Sequence, residues 1–288
     1  MRVIRASALG MCFGVRDALR VVERVESPGR VSIHGELVHN EEVISDLALR
    51  GFRSVPESER GSIPESPEVL ITAHGVSDRE RRRLLEAGKT LVDTTCPLVR
   101  HVHETAVSLH REGYFVVIIG KRGHVEVEGI TGDLVRYVVV QNAGEVVRYD
   151  ASRIAIVSQS TTPPFEALQV RQAIEARNAG KEIRYVDTIC RPTRERQQAL
   201  LDLVEQVDAI VVVGGSNSNN TRQLARLAES RGRPVLQVRG AADLEPDWFM
   251  QFQVVGLTAG TSTLDRTVDE VHRALLAMRP ACAQLQPQ

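Results

Sequence analysis

Leu91-Val-Asp-Thr-Thr-Cys96-Pro97-Leu-Val-Arg100 decides how the chain is read. Leu91 and Val92 are strand formers. Asp93, Thr94 and Thr95 are turn and capping residues, and Pro97 suits the first turn of a helix. The stretch predicts a strand that ends at a cysteine, with a helix starting just after it. The same wording returns at Tyr185-Val-Asp-Thr-Ile-Cys190-Arg-Pro192-Thr193. A looser version opens the chain at Val3-Ile-Arg-Ala-Ser-Ala-Leu-Gly-Met-Cys12-Phe-Gly-Val15. Cys12, Cys96 and Cys190 lie 84 and 94 residues apart. That is too far for a local zinc knuckle, and it suits three similar units that each bring one thiol to a common centre.

Working outward, strand-like and helical runs alternate almost throughout, from a strand at Val3–Ala6 and a helix at Val15–Glu26 to a strand at Gln253–Leu257 and a helix at Leu264–Ala277. Such alternation predicts an α/β fold with mostly parallel sheets. A polar turn follows each cysteine by 27 or 28 residues, at His39, His124 and Ser218. A second follows further on, around His74, Ser160–Thr161 and Ser262. Polar turns at strand ends are where open α/β sheets bind ligands. The expected organisation is three α/β domains in a pseudo-threefold arrangement, at 13–95, 96–189 and 190–280. The N-terminal strand 1–12 is expected to join the third, and 281–288 to form a flexible tail.

Composition narrows the class. The chain has 288 residues, 42% hydrophobic and 25% charged, with a net charge of −1. No global field draws it to nucleic acid or to an anionic membrane. The sequence opens on a strand-like Val3-Ile4 without a signal-peptide apolar region, and no apolar run has the length of a membrane span, so a cytoplasmic protein is expected. Four cysteines do not make a disulfide scaffold. Cys282, in the tail, is read as a bystander.

A single cysteine is most often a small buried hydrophobe. Two copies of Val-Asp-Thr-x-Cys, each opening a helix, shift the reading to ligation, because a helix N-terminus favours the thiolate. Spacing alone leaves zinc and an iron–sulfur cluster both open. Zinc usually takes four ligands with close-set pairs, and there is no CxxC here. Three thiolates on a cubane leave one iron open for substrate. His39, His74 and His124, with Ser218, Asn220 and Ser262, could form a nest for a multiply charged anion such as a diphosphate. Gly10 to Gly14 matches neither common nucleotide-binding glycine motif. Glu126 reads either as a solvated helix-start carboxylate or as a proton donor beside a reduced centre, assisted by Ser160 or Thr161. His101, His103 and His110 are read as ordinary, and the basic runs Arg79–Arg83 and Lys121–Arg122 as solvated faces.

Together these residues resemble the LytB/IspH family of 4-hydroxy-3-methylbut-2-enyl diphosphate reductases. The likeness is collinear, from Gly10-Met-Cys-Phe-Gly-Val through Leu37-Val-His-Asn, Ala73-His-Gly-Val, Asp93-Thr-Thr-Cys-Pro, Gly123-His-Val-Glu, Thr188-Ile-Cys and Asn217-Ser-Asn-Asn-Thr to Thr258-Ala-Gly-Thr-Ser. The resemblance implies three α/β domains around one [4Fe–4S] cluster held by Cys12, Cys96 and Cys190. It implies diphosphate binding by His39, His74, His124, Thr193, Ser218, Asn219, Asn220 and Ser262. It implies proton delivery by Glu126 with Ser160, Thr161 and His124. The implied reaction is a two-electron, two-proton removal of the allylic hydroxyl to give isopentenyl and dimethylallyl diphosphates, the last step of the methylerythritol phosphate route. Electrons would come from a ferredoxin or flavodoxin, with no nucleic-acid or membrane partner. Three positions depart from the family's usual pattern: Val125 stands for Pro, Ser160 for the first Thr of Gln-Thr-Thr, and Asn219 for the second Ser of Asn-Ser-Ser-Asn. The rival readings are a non-catalytic iron–sulfur redox sensor on the same fold and a zinc-dependent phosphate-ester hydrolase.

Overall fold

A computed structural model describes residues 1–278. Cys282 and the segment 281–288 lie outside the described residues. The elements, in chain order, are β1 (Arg2–Arg5), α1 (Phe13–Glu23), β2 (Val31–His34), α2 (Glu41–Leu49), β3 (Arg53–Val55), β4 (Glu68–Ile71), α3 (Asp78–Glu86) and β5 (Thr90–Asp93). There follow α4 (Pro97–Arg111), β6 (Phe115–Ile119), α5 (Val125–Thr131), β7 (Tyr137–Val140), β8 (Arg153–Ser158), α6 (Pro164–Arg177) and β9 (Glu182–Tyr185). The last are α7 (Arg191–Val204), β10 (Ala209–Val213), α8 (Asn219–Ser230), β11 (Val235–Val238), β12 (Val254–Ala259) and α9 (Asp265–Ala277).

The strands form three four-stranded sheets, and every pair within them is parallel. From the same edge the orders are β3-β2-β4-β5, β7-β6-β8-β9 and β11-β10-β12-β1. The three sheets therefore share one plan, and the chain is the α/β protein its alternation predicts. In each sheet the strand leading to a cysteine lies at one edge. It pairs with the strand that enters the second polar turn, and that strand pairs with the one that enters the first. The central strands read as continuous apolar runs because they are covered on both sides. All five residues of β10, for example, are buried. β1 pairs with β12 in the register Arg2↔Val254 to Arg5↔Leu257, so the first strand completes the last sheet.

The described chain divides into two compact units. One contains Met1–Cys12, His39–Glu41 and the described residues from Arg191 onward, and is built on the β11-β10-β12-β1 sheet. The other contains Phe13–Val38 and Glu42–Cys190, and is built on the other two sheets.

Two elements are only weakly marked in the sequence. β3 is three residues long with two of them exposed, so it shows no apolar alternation. α5 is rich in β-branched residues and contains Gly129, a composition with poor helix propensity. It forms because His124 caps it and Val127 and Ile130 are buried. Asp133, just beyond α5, caps α3 in turn by accepting from the backbone of Asp78 at 2.6 Å and Arg79 at 3.0 Å, while His103 meets the same carboxylate at 2.7 Å. The basic run on α3 is not simply solvated. Arg81 binds Asp93 at 2.9 Å, and Arg83 donates to the Gly61 carbonyl at 2.9 Å and so holds the loop before β4.

His34, at the end of β2, is fully buried, with Nε2 3.0 Å from the Glu80 carboxylate. Burial, joined by the Arg60 charge and opposed by Glu80, lowers its pKa from about 6.5 to about 4. Between those values the unfolded chain binds the proton and the folded chain does not, so stability falls as pH drops through that window. His34→Gln should flatten the loss of stability between pH 6.5 and 4 in urea titrations. Equal slopes for both proteins would remove His34 as its source.

Candidate functional site

The Asp-Thr-x-Cys wording has a physical meaning. The carboxylates of Asp93 and Asp187 each accept from the backbone two residues on, Thr95 N at 2.9 Å and Ile189 N at 3.2 Å, and so turn the chain out of its strand. The threonine then clips that turn to the neighbouring strand. Thr94 Oγ1 donates to the Ile71 carbonyl at 2.6 Å, and Thr188 Oγ1 donates to the Ser158 carbonyl at 2.6 Å. The cysteine closes the device. Cys96 N donates to Ala73 O at 3.0 Å and Cys190 N donates to Ser160 O at 2.9 Å. Cys12, without the Asp-Thr pair, makes the same bond to Thr261 O at 2.9 Å. Each acceptor lies in the second polar turn of the cysteine's own sheet.

All three cysteines are half-buried, and each immediately precedes a helix: α1, α4 or α7. Asp93 is held below the usual carboxylate range, because its bonds from Thr95 and Arg81 outweigh the upward push of burial. Gly14 makes room for one sulfur. A Cβ at that position would stand 2.5 Å from Cys96 Sγ. The Gly10–Gly14 stretch, which fits no nucleotide motif, thus has a use in its second glycine.

Glu126 sits in the first turn of α5 and is 2% exposed, so it is not a solvated carboxylate. It accepts from Ser160 N at 2.6 Å and Ser160 Oγ at 2.8 Å. Burial pushes its pKa up, against the pull of the two Ser160 bonds. Because Ser160 also receives the Cys190 amide, one residue links the carboxyl to a cysteine. His124 caps α5 through Nδ1, which accepts from Glu126 N at 3.2 Å. A neutral His124 therefore carries its proton on Nε2. The His74 ring meets His124 edge-on, with centroids 5.7 Å apart. His74, His124, Glu126, Ser160, Thr161, Cys96 and Cys190 all belong to the two-sheet unit.

The other unit carries the remaining predicted residues. Ser218 caps α8 by accepting from Thr221 N at 3.3 Å. Asn219 and Asn220 occupy the first turn of α8, both buried. Asn220 Oδ1 accepts from Thr261 N at 3.0 Å, while its Nδ2 is buried with no hydrogen-bond partner. A donor left in that state is a cost unless a ligand takes it up. Ser262 Oγ donates to the His39 carbonyl at 3.0 Å, and Asn40 Nδ2 returns a bond to the Ser262 carbonyl at 2.8 Å. Thr193 is fully buried in the first turn of α7. The Thr94 and Thr188 clips, legible in sequence only as turn residues, were not distinguishable there from other polar loop positions.

The profile of the LytB protein family matches residues 3–276. A 4-hydroxy-3-methylbut-2-enyl diphosphate reductase of Methylibium petroleiphilum is 36% identical over 282 residues, covering 96% of this chain and 85% of its own. Among solved structures, the E-1-hydroxy-2-methyl-but-2-enyl-4-diphosphate reductase of Plasmodium falciparum superposes with a TM-score of 0.88 at 24% identity, over 97% of this chain and 89% of that one. A structure of (E)-4-hydroxy-3-methyl-but-2-enyl diphosphate reductase, described as the terminal enzyme of the non-mevalonate pathway, gives a TM-score of 0.66 at 32% identity, over 96% and 99%.

Thr188 both donates to Ser158 O and accepts from Ser158 N at 2.8 Å. Thr188→Val leaves two buried backbone groups without partners and should cost about 2–4 kcal/mol in urea unfolding. Thr188→Ser should recover most of that. A Val variant as stable as the parent would show that the clip carries no stability.

Proposed function

The chain belongs to the LytB family, and on that premise we propose that it is an iron–sulfur-dependent 4-hydroxy-3-methylbut-2-enyl diphosphate reductase. The observation that carries the reading is the buried Glu126 carboxyl bonded to Ser160, whose carbonyl holds the amide of Cys190. One residue, Ser160, thereby joins a buried acid to a cysteine that we assign as a cluster ligand, and this supports the reading.

We assign Cys12, Cys96 and Cys190 as the thiolate ligands of one [4Fe–4S] cluster. The donor set fits: three thiols stand at helix starts, half-buried, and Gly14 keeps the space beside one of them open. When bound, such a cluster would pass on, one at a time, the two electrons delivered by the donor protein, and would offer an open iron to the hydroxyl oxygen. The reaction consumes two electrons and two protons. The allylic C–O bond breaks, the oxygen leaves as water, and the second proton ends in the new C–H bond of isopentenyl or dimethylallyl diphosphate.

The protein's own part is positioning and proton delivery. Burial raises the pKa of Glu126 and so favours its protonated form; that proton would reach the departing oxygen by way of the Ser160 hydroxyl, hydrogen-bonded to the carboxyl at 2.8 Å. Thr161 stands next in the same turn. His124 offers Nε2–H to the diphosphate, and His39 and His74 join it as imidazole donors. Ser218, Ser262 and Thr193 supply hydroxyls, and Asn219 and Asn220 supply amides at the start of α8, where the helix dipole favours an anion. The unpartnered Asn220 Nδ2 supports this placement. Holding the diphosphate there converts an encounter into an oriented reaction. We read the organisation as three domains (13–95, 96–189 and 190–280 with 1–12), the electron donor as a ferredoxin or flavodoxin, and the compartment as the cytoplasm. No helix among the described residues is long and apolar enough to cross a membrane.

Anaerobic turnover of the diphosphate with a reduced viologen, on protein shown to contain iron and sulfide, tests the reading. Dye oxidation with five-carbon diphosphates is the expected result, and silence from loaded protein would overturn it. Glu126→Gln should lower kcat by roughly 100-fold or more with iron and sulfide unchanged. Because the neutral carboxyl is the active form, the parent's kcat should fall as pH rises through its raised pKa. Gly14→Ala should cut iron per chain, since its methyl would stand 2.5 Å from the Cys96 sulfur and force it to move; full iron content would dissociate Gly14 from the site.

A further inference from the structure

We infer that Arg196 is the positioning residue for Cys12, doing for that cysteine what Thr94 and Thr188 do for the other two. The inference rests on the reading of Cys12 as a cluster ligand. The clip threonines stand two residues before Cys96 and Cys190. The corresponding position before Cys12 is Gly10, with a left-handed φ of +73° and no side chain to make a clip. The path to Cys12 is also longer. Ala6 N bonds to Leu257 O at 2.9 Å, Gly10 N to Ala259 O at 3.3 Å and Cys12 N to Thr261 O at 2.9 Å. Four residues on one side thus span two on the other, and 7–9 bulge out of the ladder before it resumes.

Arg196, in the second turn of α7, grips this bulge. Its Nε and Nη2 both donate to the Gly10 carbonyl, at 3.0 and 2.6 Å, and Nη1 donates to the Pro192 carbonyl at 3.1 Å. The side chain is 6% exposed. Burying a guanidinium is costly, and the fork is the geometry that arginine alone provides. It fixes Gly10 from the carbonyl side as Ala259 fixes it from the amide side, so the chain enters Cys12 in one conformation. The sulfur is then presented without the Asp-Thr device.

The test compares Arg196→Lys, which keeps the charge and loses the fork, with the parent full-length chain stripped of metal under reducing, anaerobic conditions. Alkylation by iodoacetamide is followed at each cysteine by mass spectrometry. Cys12 should react about fivefold faster or more in the variant, with Cys96 and Cys190 within about twofold of the parent, as local opening at one site requires. After cluster reconstitution, the variant should also release iron to a chelator faster. Unchanged Cys12 reactivity, or an equal rise at all three cysteines, would overturn the inference. Should Arg196→Lys not fold, Arg196→Gln, which retains one donor group, is read in the same way. The alkylation result does not depend on turnover, so a chain that shows it and yet fails to reduce the diphosphate would sink the proposed function and leave Arg196 in place.

Discussion

One hydrogen bond recurs three times, once in each sheet: the amide of each cysteine is bonded to a carbonyl in the neighbouring polar turn. It is the last rung that a parallel ladder can offer before the chain leaves the sheet. Ala73, Ser160 and Thr261 are its acceptors. A bond of this kind is worth only about 1 kcal/mol net, but leaving it unmade in a buried setting costs more. It therefore works as a constraint. Each cysteine is fixed to the turn that is expected to meet the substrate, and a helix starts from it at once.

Much of this was legible in the sequence, for identifiable reasons. The sheets are parallel and covered on both sides, so their strands appear as unbroken apolar runs such as Ala209–Val213. The cysteine motif was readable because aspartate, threonine and proline each have a narrow range of uses beside a turn. Grouping was harder. Counting along the chain puts each cysteine before its two polar turns. The sheets group it instead with the two turns whose strands lie beside its own: β5 pairs with β4 and β9 with β8, the strands just before them in the chain, and β1 pairs with β12 across the length of the chain.

Other features left no trace in local pattern. α5 has the composition of a strand and is helical because its cap and its buried face decide the matter. Glu126 looks like any acidic residue in a first helical turn, and only the packing of α5 takes it out of water. Arg196 is one arginine in the polar run Arg191-Pro-Thr-Arg-Glu-Arg196. It lies with Pro192, Thr193, Gln197 and Leu200 on the buried face of α7, which Arg191 and Arg194 do not share, but three arginines within six residues read as a polar run and conceal that face.

The departures from the family pattern can be weighed in the same terms. Serine in place of threonine at position 160 removes a methyl and keeps both bonds to Glu126, one of which is a backbone N–H that no side chain supplies. The proposed proton path would thus be insensitive to the exchange. Val125 replaces a proline at the first position of α5, where a proline would have no amide to lose and a preset φ to give; the His124 cap supplies the missing order. Asn219 opens α8, where anion attraction comes largely from backbone amides and the dipole rather than from the side chain. Each exchange leaves in place the backbone bond, helix cap or helix start that the proposed chemistry would use, so the three departures are compatible with it.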